Sequence, residues 1–333
     1  MSAPVAPAMP EGTTLAIDRN TRELADGRLL GGSPRRMLRL SEGGRVAWSD
    51  LRAGRVGSPG AGVLARRLTD AGLAHPRPAP LPTADATVVV PVRDRAGALD
   101  RCLEALGAGA RVIVVDDGSA DPRAIASVAQ RHGARLRRIE SSTGPAAARN
   151  AGLDAIESEL VAFVDSDCRV PADWLARAAG HFADPAVGAV APRVVSARRE
   201  TSHRYRDNCG LLDLGPAEAR VHPLGVVGYV PTAALVVRRA ALDQVGRFDD
   251  DLRYGEDVDL VWRLDAAGWR VRYDPAVVVL HDEPIDWPAR LAKRFRYGTA
   301  AAPLALRHPG ASAHLVASPW PAAFVVAAIA RRP

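Results

Sequence analysis

The feature that most constrains the fold is the apolar run 160–164, which ends in Asp165-Ser166-Asp167. Side chains two residues apart on an extended segment point the same way, so Asp165 and Asp167 can reach one ion. An isolated Asp-Ser-Asp would indicate only a turn. Two further apolar runs, 88–92 and 112–115, also end in polar residues. Ligands bind at such carboxyl ends in open α/β sheets, so the three runs together predict a binding site.

The spacing of these runs predicts the fold class. Strands at 88–92, 112–115, 136–139 and 160–164 alternate with helices at 96–106, 122–132 and 145–156. Continuous β-branched runs are typical of strands buried on both faces, and the alternation predicts a parallel sheet with right-handed crossovers. We therefore expect a nucleotide-binding α/β sheet with helices on both faces.

Composition limits the function classes. The 333 residues are 47% hydrophobic and 25% charged, which fits about two globular domains. The three cysteines (Cys102, Cys168 and Cys209) are scattered, which argues against a disulfide framework or a zinc site and favours a reducing compartment. Residues 1–80 carry 12 arginines and 7 acids, and Lys293 is the only lysine of the chain. Arginine usage of this kind fits a GC-rich genome, so we expect no nucleic-acid partner.

The pattern of turns and apolar stretches predicts five segments. Residues 1–12 read as a flexible leader, 13–75 as a small α+β winged-helix-like module, and 76–85 as a Pro-rich linker. The α/β domain takes 86–300, and 301–333 form a C-terminal extension. Its apolar run 320–330 has roughly half of the about 20 residues that span a bilayer. An interfacial anchor, a core segment and the start of a truncated membrane-associated region all remain open for it.

Five motifs carry a specific resemblance. "VVVPVRDR", "VIVVDDGSAD", "TGPAAARNAGL", "VAFVDSDC" and "GEDVDLVWRL" stand in the order and approximate spacing of family 2 glycosyltransferases, the inverting enzymes of the GT-A fold. The resemblance covers about residues 86–298. It implies a nucleotide-diphospho-sugar transferase that uses a UDP-sugar donor together with Mn²⁺ or Mg²⁺.

The resemblance also implies roles for individual residues. Asp257 resembles the general base and Glu256 its support, although as a pattern this cluster could be only an acidic helix N-terminus. Asp167 resembles the main metal ligand, with Asp165 and His281 as further ligands, although a lone histidine is usually structural. The donor-binding residues implied by the resemblance are Pro91, Arg93, Asp94, Asp116, Gly144, Arg149, Asp165 and Ser166. The Q-x-x-R-W signature of processive relatives is absent, and Arg294 or Arg296 is left as a candidate for contacting the diphosphate.

The two-domain order, with "RFRYGTAAAPLALRHPG" near the end, is most similar to the mycofactocin-system glycosyltransferases of actinobacteria. That resemblance implies transfer of a hexose, glucose from UDP-glucose, to a peptide-derived redox cofactor or its precursor. The module 13–75 resembles the leader-peptide recognition modules of such pathways, although a structural cap is the alternative. We expect a cytoplasmic protein, either free or peripherally bound to the inner face of the plasma membrane through its C-terminal end.

Three alternatives stay open. A family 2 enzyme could act on a cell-envelope glycan or a lipid-linked acceptor, as rhamnosyl- or galactosyltransferases do. A metal-dependent nucleotidyltransferase would also use paired carboxylates, but its glycine-rich loop, such as G-x-G-T-R, is missing after the first strand. A peptide-binding scaffold with a decayed catalytic domain is the non-enzymatic alternative, and the intact Asp165, Asp167 and Asp257 argue against it.

Overall fold

The computed structural model describes residues 6–197, 210–283 and 287–311, together with Ala327. Residues 1–5 of the expected leader, Cys209 and most of the apolar stretch near the C-terminus therefore lie outside the described residues. Within the described ranges, no helix is long and apolar enough to cross a membrane.

The N-terminal module is built from short strands and two helices. Its elements are β1 (Leu15–Ile17), β2 (Arg22–Glu23), β3 (Arg28–Gly31), β4 (Arg36–Arg39), α1 (Glu42–Arg52), α2 (Pro59–Asp70) and β5 (Ala74–Pro76). Strands β2, β3 and β4 form one antiparallel sheet, while β1 pairs with β5. Ser41 and Ser58 cap the two helices by accepting hydrogen bonds from backbone N–H groups of their first turns.

This module has a hydrophobic core of its own. Leu29, Trp48, Leu51 and Leu68 are buried in it, and the face of α1 that carries Trp48 and Leu51 packs against α2. Met9 is also buried in this core. The second half of the segment expected to be a flexible leader is thus held by packing, because burial of an apolar side chain stabilises its position.

A nine-stranded mixed sheet forms the centre of the rest of the chain. Its strands are β6 (Ala86–Val92), β7 (Val112–Asp117), β8 (Arg135–Ile139), β9 (Leu160–Val164), β10 (Cys168–Arg169), β11 (Val187–Ser196), β12 (Ala219–Val221), β13 (Ala234–Arg238) and β14 (Arg270–His281). The order is β10-β14-β11-β13-β9-β6-β7-β8, with β12 beside β14. Strands β9, β6, β7 and β8 run parallel, and β13 is antiparallel to both β9 and β11.

Helices cover both faces of the sheet. The helices are α3 (Ala96–Leu106), α4 (Pro122–Arg131), α5 (Pro145–Leu153), α6 (Trp174–Gly180), α7 (Arg239–Val245), α8 (Glu256–Ala266), α9 (Trp287–Gly298) and α10 (Ala301–Arg307). One core lies between the sheet and α3, α4 and α6, and the other between the sheet and α5, α7 and α8. The predicted α/β class, with a mostly parallel sheet between two layers of helices, is confirmed.

Candidate active site

A cleft with a volume of about 1810 Å³ opens where β6, β7 and β9 end. Its floor includes Pro91 near the end of β6, Arg93 just after it, Asp117 at the end of β7, and Asp165 to Asp167 after β9. Its opposite wall comes from 250–258 and from α9. The sequence places these segments up to 200 residues apart, and the parallel sheet brings their ends to one edge.

The loop before α5 forms one end of the cleft, and Asp117 holds it. The Asp117 carboxylate accepts hydrogen bonds from Ser142 Oγ at 2.8 Å, from Thr143 N at 2.8 Å and from Gly144 N at 3.1 Å. Gly144 adopts φ 97°, a region that favours glycine, and Pro145 then begins α5. Pro145, Ala146 and Ala148 in the first turn of α5 line the cleft, and the N-terminus of a helix suits a phosphate.

Two of the predicted donor residues do not line the cleft. Asp116 is fully buried and accepts hydrogen bonds from Ser119 N at 2.9 Å and from Arg138 Nη1 at 2.5 Å. The Asp94 carboxylate accepts from Ala120 N at 2.7 Å. Because successive side chains on a strand point to opposite faces, Asp117 is the acid of β7 that reaches the cleft.

The carboxylate pair after β9 lies on the cleft floor, and each member contacts an arginine. Asp165 Oδ1 accepts from Arg149 Nη2 at 2.8 Å, and Asp167 Oδ2 accepts from Arg95 Nη1 at 2.6 Å. The side chains of Asp165 and Asp167 are 31% and 14% exposed. Ser166, between them, also lines the cleft.

His281 lies behind Asp167 and is buried, so it does not line the cleft. Its Nε2 is 3.7 Å from Asp167 Oδ1 and its Nδ1 is 3.6 Å from Glu283 Oε1. This contact follows from the antiparallel pairing of β10 with β14, which places Cys168 opposite His281. Burial and the Asp165 carboxylate raise the pKa of Asp167, and the charges of His281 and Arg95 oppose that shift.

Glu256 and Asp257, at the start of α8, form the opposite wall. Asp257 accepts a hydrogen bond from Val258 N at 2.8 Å, and the backbone N–H groups of Val258 and Thr232 both act to lower its pKa. Burial, followed by the neighbouring Glu256 carboxylate, raises the pKa of Asp257 to about 7. A carboxyl group with a pKa near neutrality is well matched to general-base work.

Arg149 joins the cleft floor to the wall formed by the start of α8. Its Nη1 donates to Glu256 Oε1 at 2.9 Å while its Nη2 donates to Asp165 Oδ1. Burial opposes the charge of Arg149, but the Asp165 and Glu256 carboxylates outweigh it and raise the pKa of the guanidinium. Arg149 is thus a permanently charged bridge between the carboxylates of the donor side and the start of α8.

Several cleft residues were not predicted from the sequence. They include Arg95, Asp117, Lys293 and Tyr297. Arg296 lines the cleft, whereas Arg294, the other candidate for the diphosphate, does not. In the sequence, the basic stretch 290–296 is the feature that points to the α9 residues as site residues. No local pattern predicts that this helix lies beside the cleft.

Comparison with known proteins decides the family. The family model described as glycosyl transferase family 2 matches residues 87–246. A pre-mycofactocin glycosyltransferase of Mycobacterium tuberculosis is 46% identical over 318 residues, which cover 94% of this chain and 67% of that protein. The chain belongs to glycosyltransferase family 2. It is an enzyme of the glycosyltransferase class, and the predicted family is confirmed.

Solved structures agree with the GT-A fold of this family 2 glycosyltransferase. A mannosyltransferase, PcManGT from Pyrobaculum calidifontis in complex with GDP-Man and Mn²⁺, is 24% identical, with a TM-score of 0.50 over 76% of this chain and 81% of that one. S. aureus TarS 1-349 in complex with UDP-GlcNAc is 21% identical, with a TM-score of 0.50 over 61% of this chain and 59% of that one. At this identity the likeness shows the fold alone.

The carboxylate pair of this family 2 enzyme suits a hard divalent cation that is shared with a substrate phosphate. Among the described residues, no group of three or more His, Cys, Asp or Glu side chains is arranged to hold a metal by itself. Mg²⁺ is usually held by one or two carboxylates plus substrate phosphates, so two aspartates are sufficient. Burial, and after it the Asp165 carboxylate, raises the pKa of Asp167, and a bound cation would offset the repulsion between the two carboxylates, so Asp165 and Asp167 fit this ion.

Proposed function

We propose that the enzyme transfers a hexose, glucose from UDP-glucose, to a hydroxyl of a peptide-derived acceptor, with inversion at the anomeric carbon. The observation that carries this proposal is the position of Asp257 across one cleft from Asp165 and Asp167. An inverting transfer is a single in-line displacement, so it needs a base on the side opposite the departing diphosphate.

Each wall of the cleft then has a separate task. Asp165 and Asp167 would hold Mn²⁺ or Mg²⁺, which neutralises the leaving diphosphate when bound. Asp257 takes the proton of the acceptor hydroxyl. At the same time the oxygen of that hydroxyl bonds to the anomeric carbon, and the bond from this carbon to the diphosphate breaks. Glu256 and Arg149 fix the start of α8 relative to the donor carboxylates. Arg93, Gly144 and Pro91 border the space for the nucleotide.

The relative from Mycobacterium tuberculosis supports the choice of acceptor, since it is named a pre-mycofactocin glycosyltransferase and aligns with 94% of this chain. We propose the mycofactocin redox cofactor or its precursor as the acceptor. The likeness extends through the N-terminal module, which the family model for the catalytic domain does not include.

The N-terminal module offers a surface for the peptide part of this acceptor. Strand β4 pairs only with β3 among the described strands, so its other edge is free to pair with an extended peptide. Arg35, Arg36 and Arg39 are exposed along this edge. We propose that the module of residues 13–75 recognises the peptide and does not merely cap the catalytic domain.

A second candidate acceptor, a lipid-linked or cell-envelope glycan, is favoured by one observation. Leu291 and Phe295 on α9 are 58% and 77% exposed, beside the basic residues Lys293 and Arg294. Exposed apolar side chains flanked by cations are typical of helices that lie on anionic membranes. We propose peripheral contact of this helix with the inner face of the plasma membrane.

Hydrolysis of nucleotide sugars tests the proposed activity without a known acceptor. The full chain is incubated with UDP-glucose, UDP-galactose, GDP-mannose and dTDP-rhamnose in the presence of Mn²⁺, and release of the nucleotide is followed. We expect UDP-glucose to be hydrolysed fastest, with the rate lost on addition of EDTA. Preference for another donor would overturn the glucose assignment, and activity that is unaffected by EDTA would overturn the metal assignment.

A further inference from the structure

The N-terminal module contacts a segment of the catalytic domain that leads into the wall beside Asp257. This segment runs through β12 and the loop 222–228 to Tyr229, Pro231 and Thr232, which line the cleft. We call residues 224–232 the acceptor wall, because they lie on the side of Asp257 and away from the loop that Asp117 holds. The contacts of the module with this segment begin before β12 and end in the loop.

Charged side chains of the module fix the segment at β12. Asp70 at the end of α2 lies 3.7 Å from Arg220 and binds Arg270 on β14 through both carboxylate oxygens, at 2.6 and 2.9 Å. Arg77 donates to Glu218 Oε2 at 2.7 Å. The pairing of β12 with β14 holds the same strand from its other side. The start of the segment is therefore held by both domains.

A buried histidine completes this junction. His75 Nε2 lies 3.2 Å from Asp18 Oδ2, and its Nδ1 lies 3.3 Å from Arg272 Nη2 and 3.5 Å from Glu218 Oε1. Burial, followed by the charge of Arg272, lowers the pKa of His75, so the imidazole is neutral at physiological pH. Neutral His75 can then accept from Arg272 at Nδ1 and donate to Asp18 at Nε2.

The tip of the loop is held differently, because burial does not fix it. Leu224 and Val226 are 58% and 70% exposed. Ser33 of the module accepts a hydrogen bond from Val226 N at its Oγ, at 2.7 Å. Ser33 is thus the contact through which the module reaches the exposed part of the loop.

The loop then connects directly to the catalytic carboxylate. Trp262 Nε1 donates to Gly228 O at 2.8 Å, and Trp262 lies on α8, one turn after Asp257. Thr232 is buried, and its backbone N–H favours the charged form of Asp257, which lowers the pKa of that carboxyl group. A shift of the tip at Val226 would consequently be transmitted to Tyr229 and Thr232 within six residues of chain.

We propose that Ser33 is a positioning residue for the transfer reaction: through Val226 it holds the acceptor wall in place against Asp257. The module would then serve the reaction step as well as any capture of peptide. This inference rests on the proposed function for the role of Asp257, whereas the mechanical link from Ser33 to Thr232 stands independently of it.

Three variants of the full chain test the link. Ser33→Ala removes the hydroxyl, Ser33→Thr keeps it, and Ser49→Ala is the matched control, because Ser49 is an exposed serine on α1 of the same module. Amide hydrogen exchange of 224–232 is compared between them. For Ser33→Ala we expect about tenfold faster exchange at Val226, the effect of one lost hydrogen bond. We also expect faster exchange at Thr232, with both Ser33→Thr and Ser49→Ala like the wild type.

Hydrolysis of UDP-glucose with Mn²⁺ supplies the second readout. For Ser33→Ala we expect kcat to fall about threefold to tenfold with KM for UDP-glucose unchanged, because the donor side of the cleft is untouched. Faster exchange confined to Val226, with kcat unchanged, would overturn the proposal. An equal loss across all amides and in both kinetic constants would mean a general structural role and would overturn it as well. If the wild type hydrolyses no nucleotide sugar, the proposed function fails, and exchange at Thr232 alone decides the link.

Discussion

At the scale of single residues, one arginine determines how the site is assembled. The sequence predicts Arg149 as a donor-binding residue, but it cannot show that the guanidinium reaches Glu256, which is 107 residues away along the chain. Of the two carboxylates that Arg149 joins, Asp165 lies on the cleft floor and Glu256 on the opposite wall, so one guanidinium links the donor and acceptor sides. The same limit applies to Asp116 and Asp117, because which acid faces the cleft depends on the pleat of β7.

Removal of this bridge should destabilise the fold. Arg149→Met leaves Asp165 and Glu256 without their counter-charge, and loss of one partner from a buried ion pair typically costs 3–5 kcal/mol. We expect about 3 kcal/mol from urea unfolding, at the low end because Asp165 is partly exposed. Arg149→Lys keeps the charge but loses the planar guanidinium that contacts both carboxylates. Its free energy of unfolding should therefore lie between those of the wild type and Arg149→Met. Arg93→Met, at an exposed cleft arginine, should leave the unfolding midpoint in place.

If Asp257 is the general base, kcat should change with pH near neutrality. Its carboxylate must be ionised to accept the proton, and its pKa is about 7, so turnover should rise with pH through about 7 and fall as pH drops below it. Asp257→Asn should reduce kcat by at least ~10²-fold, the usual effect of losing a general base. The pH dependence of kcat at saturating UDP-glucose, recorded for the wild type and for Asp257→Asn, tests both expectations. A variant with near-normal turnover would exclude this role.

Asp167 should be required for binding of the divalent cation and not for removal of the proton from the acceptor hydroxyl. In Asp167→Asn a neutral amide replaces the charge that faces cation and diphosphate, so we expect calorimetry to detect no Mn²⁺-dependent binding of UDP-glucose. Asp257→Asn is the reciprocal control, and it should bind donor and Mn²⁺ as the wild type does. Unchanged affinity in Asp167→Asn would remove the metal assignment.

At the scale of secondary-structure elements, the sequence correctly predicts the strands whose burial on both faces produces a continuous apolar run. Strands β6, β7 and β9 are largely apolar and contain several valines, and their bounds lie within about two residues of those predicted. Helix α1 was not predicted, because Gly43 and Gly44 in its first turn disfavour a helix locally. Ser41 caps α1, and burial of Trp48 and Leu51 stabilises it. This burial depends on contacts with distant parts of the chain, which the local sequence does not show. Strands β2 and β3 are too short to give a periodic signal, although Asp26-Gly27 marks their turn.

Helix α9 should bind anionic membranes through its exposed face. Phe295→Glu places a carboxylate among Leu291, Lys293 and Arg294, which removes apolar contact and adds repulsion. We expect the full chain to co-sediment with phosphatidylglycerol vesicles and this variant to do so less. Val46→Glu is the matched control, since Val46 is 65% exposed, against 77% for Phe295, but lies on α1. Equal sedimentation of all three proteins would exclude α9 as the contact.

At the scale of the whole molecule, a buried ion pair joins the N-terminal module to the catalytic domain. Arg66 on α2 donates to Asp184 at 2.6 Å, and their side chains are only 7% and 9% exposed. The Pro-rich connection, predicted as an extended linker, packs against α6: Leu81 N donates to Ala176 O at 2.8 Å. Composition identifies a proline-rich segment but not the surface against which it lies. The module and the sheet are therefore expected to unfold together.

Arg66→Met should lower the stability of the entire chain. It leaves Asp184 buried with the N–H of Ala186 as its remaining donor, and an uncompensated buried charge costs about 3–5 kcal/mol. We expect one cooperative urea transition in the wild type, by both tryptophan fluorescence and circular dichroism, and an earlier single transition in the variant. Asp26→Asn, which breaks an exposed pair within the module, should leave the midpoint unchanged. Two separate transitions in the wild type would mean that the module folds on its own and that the Arg66–Asp184 contact does not couple it to the sheet.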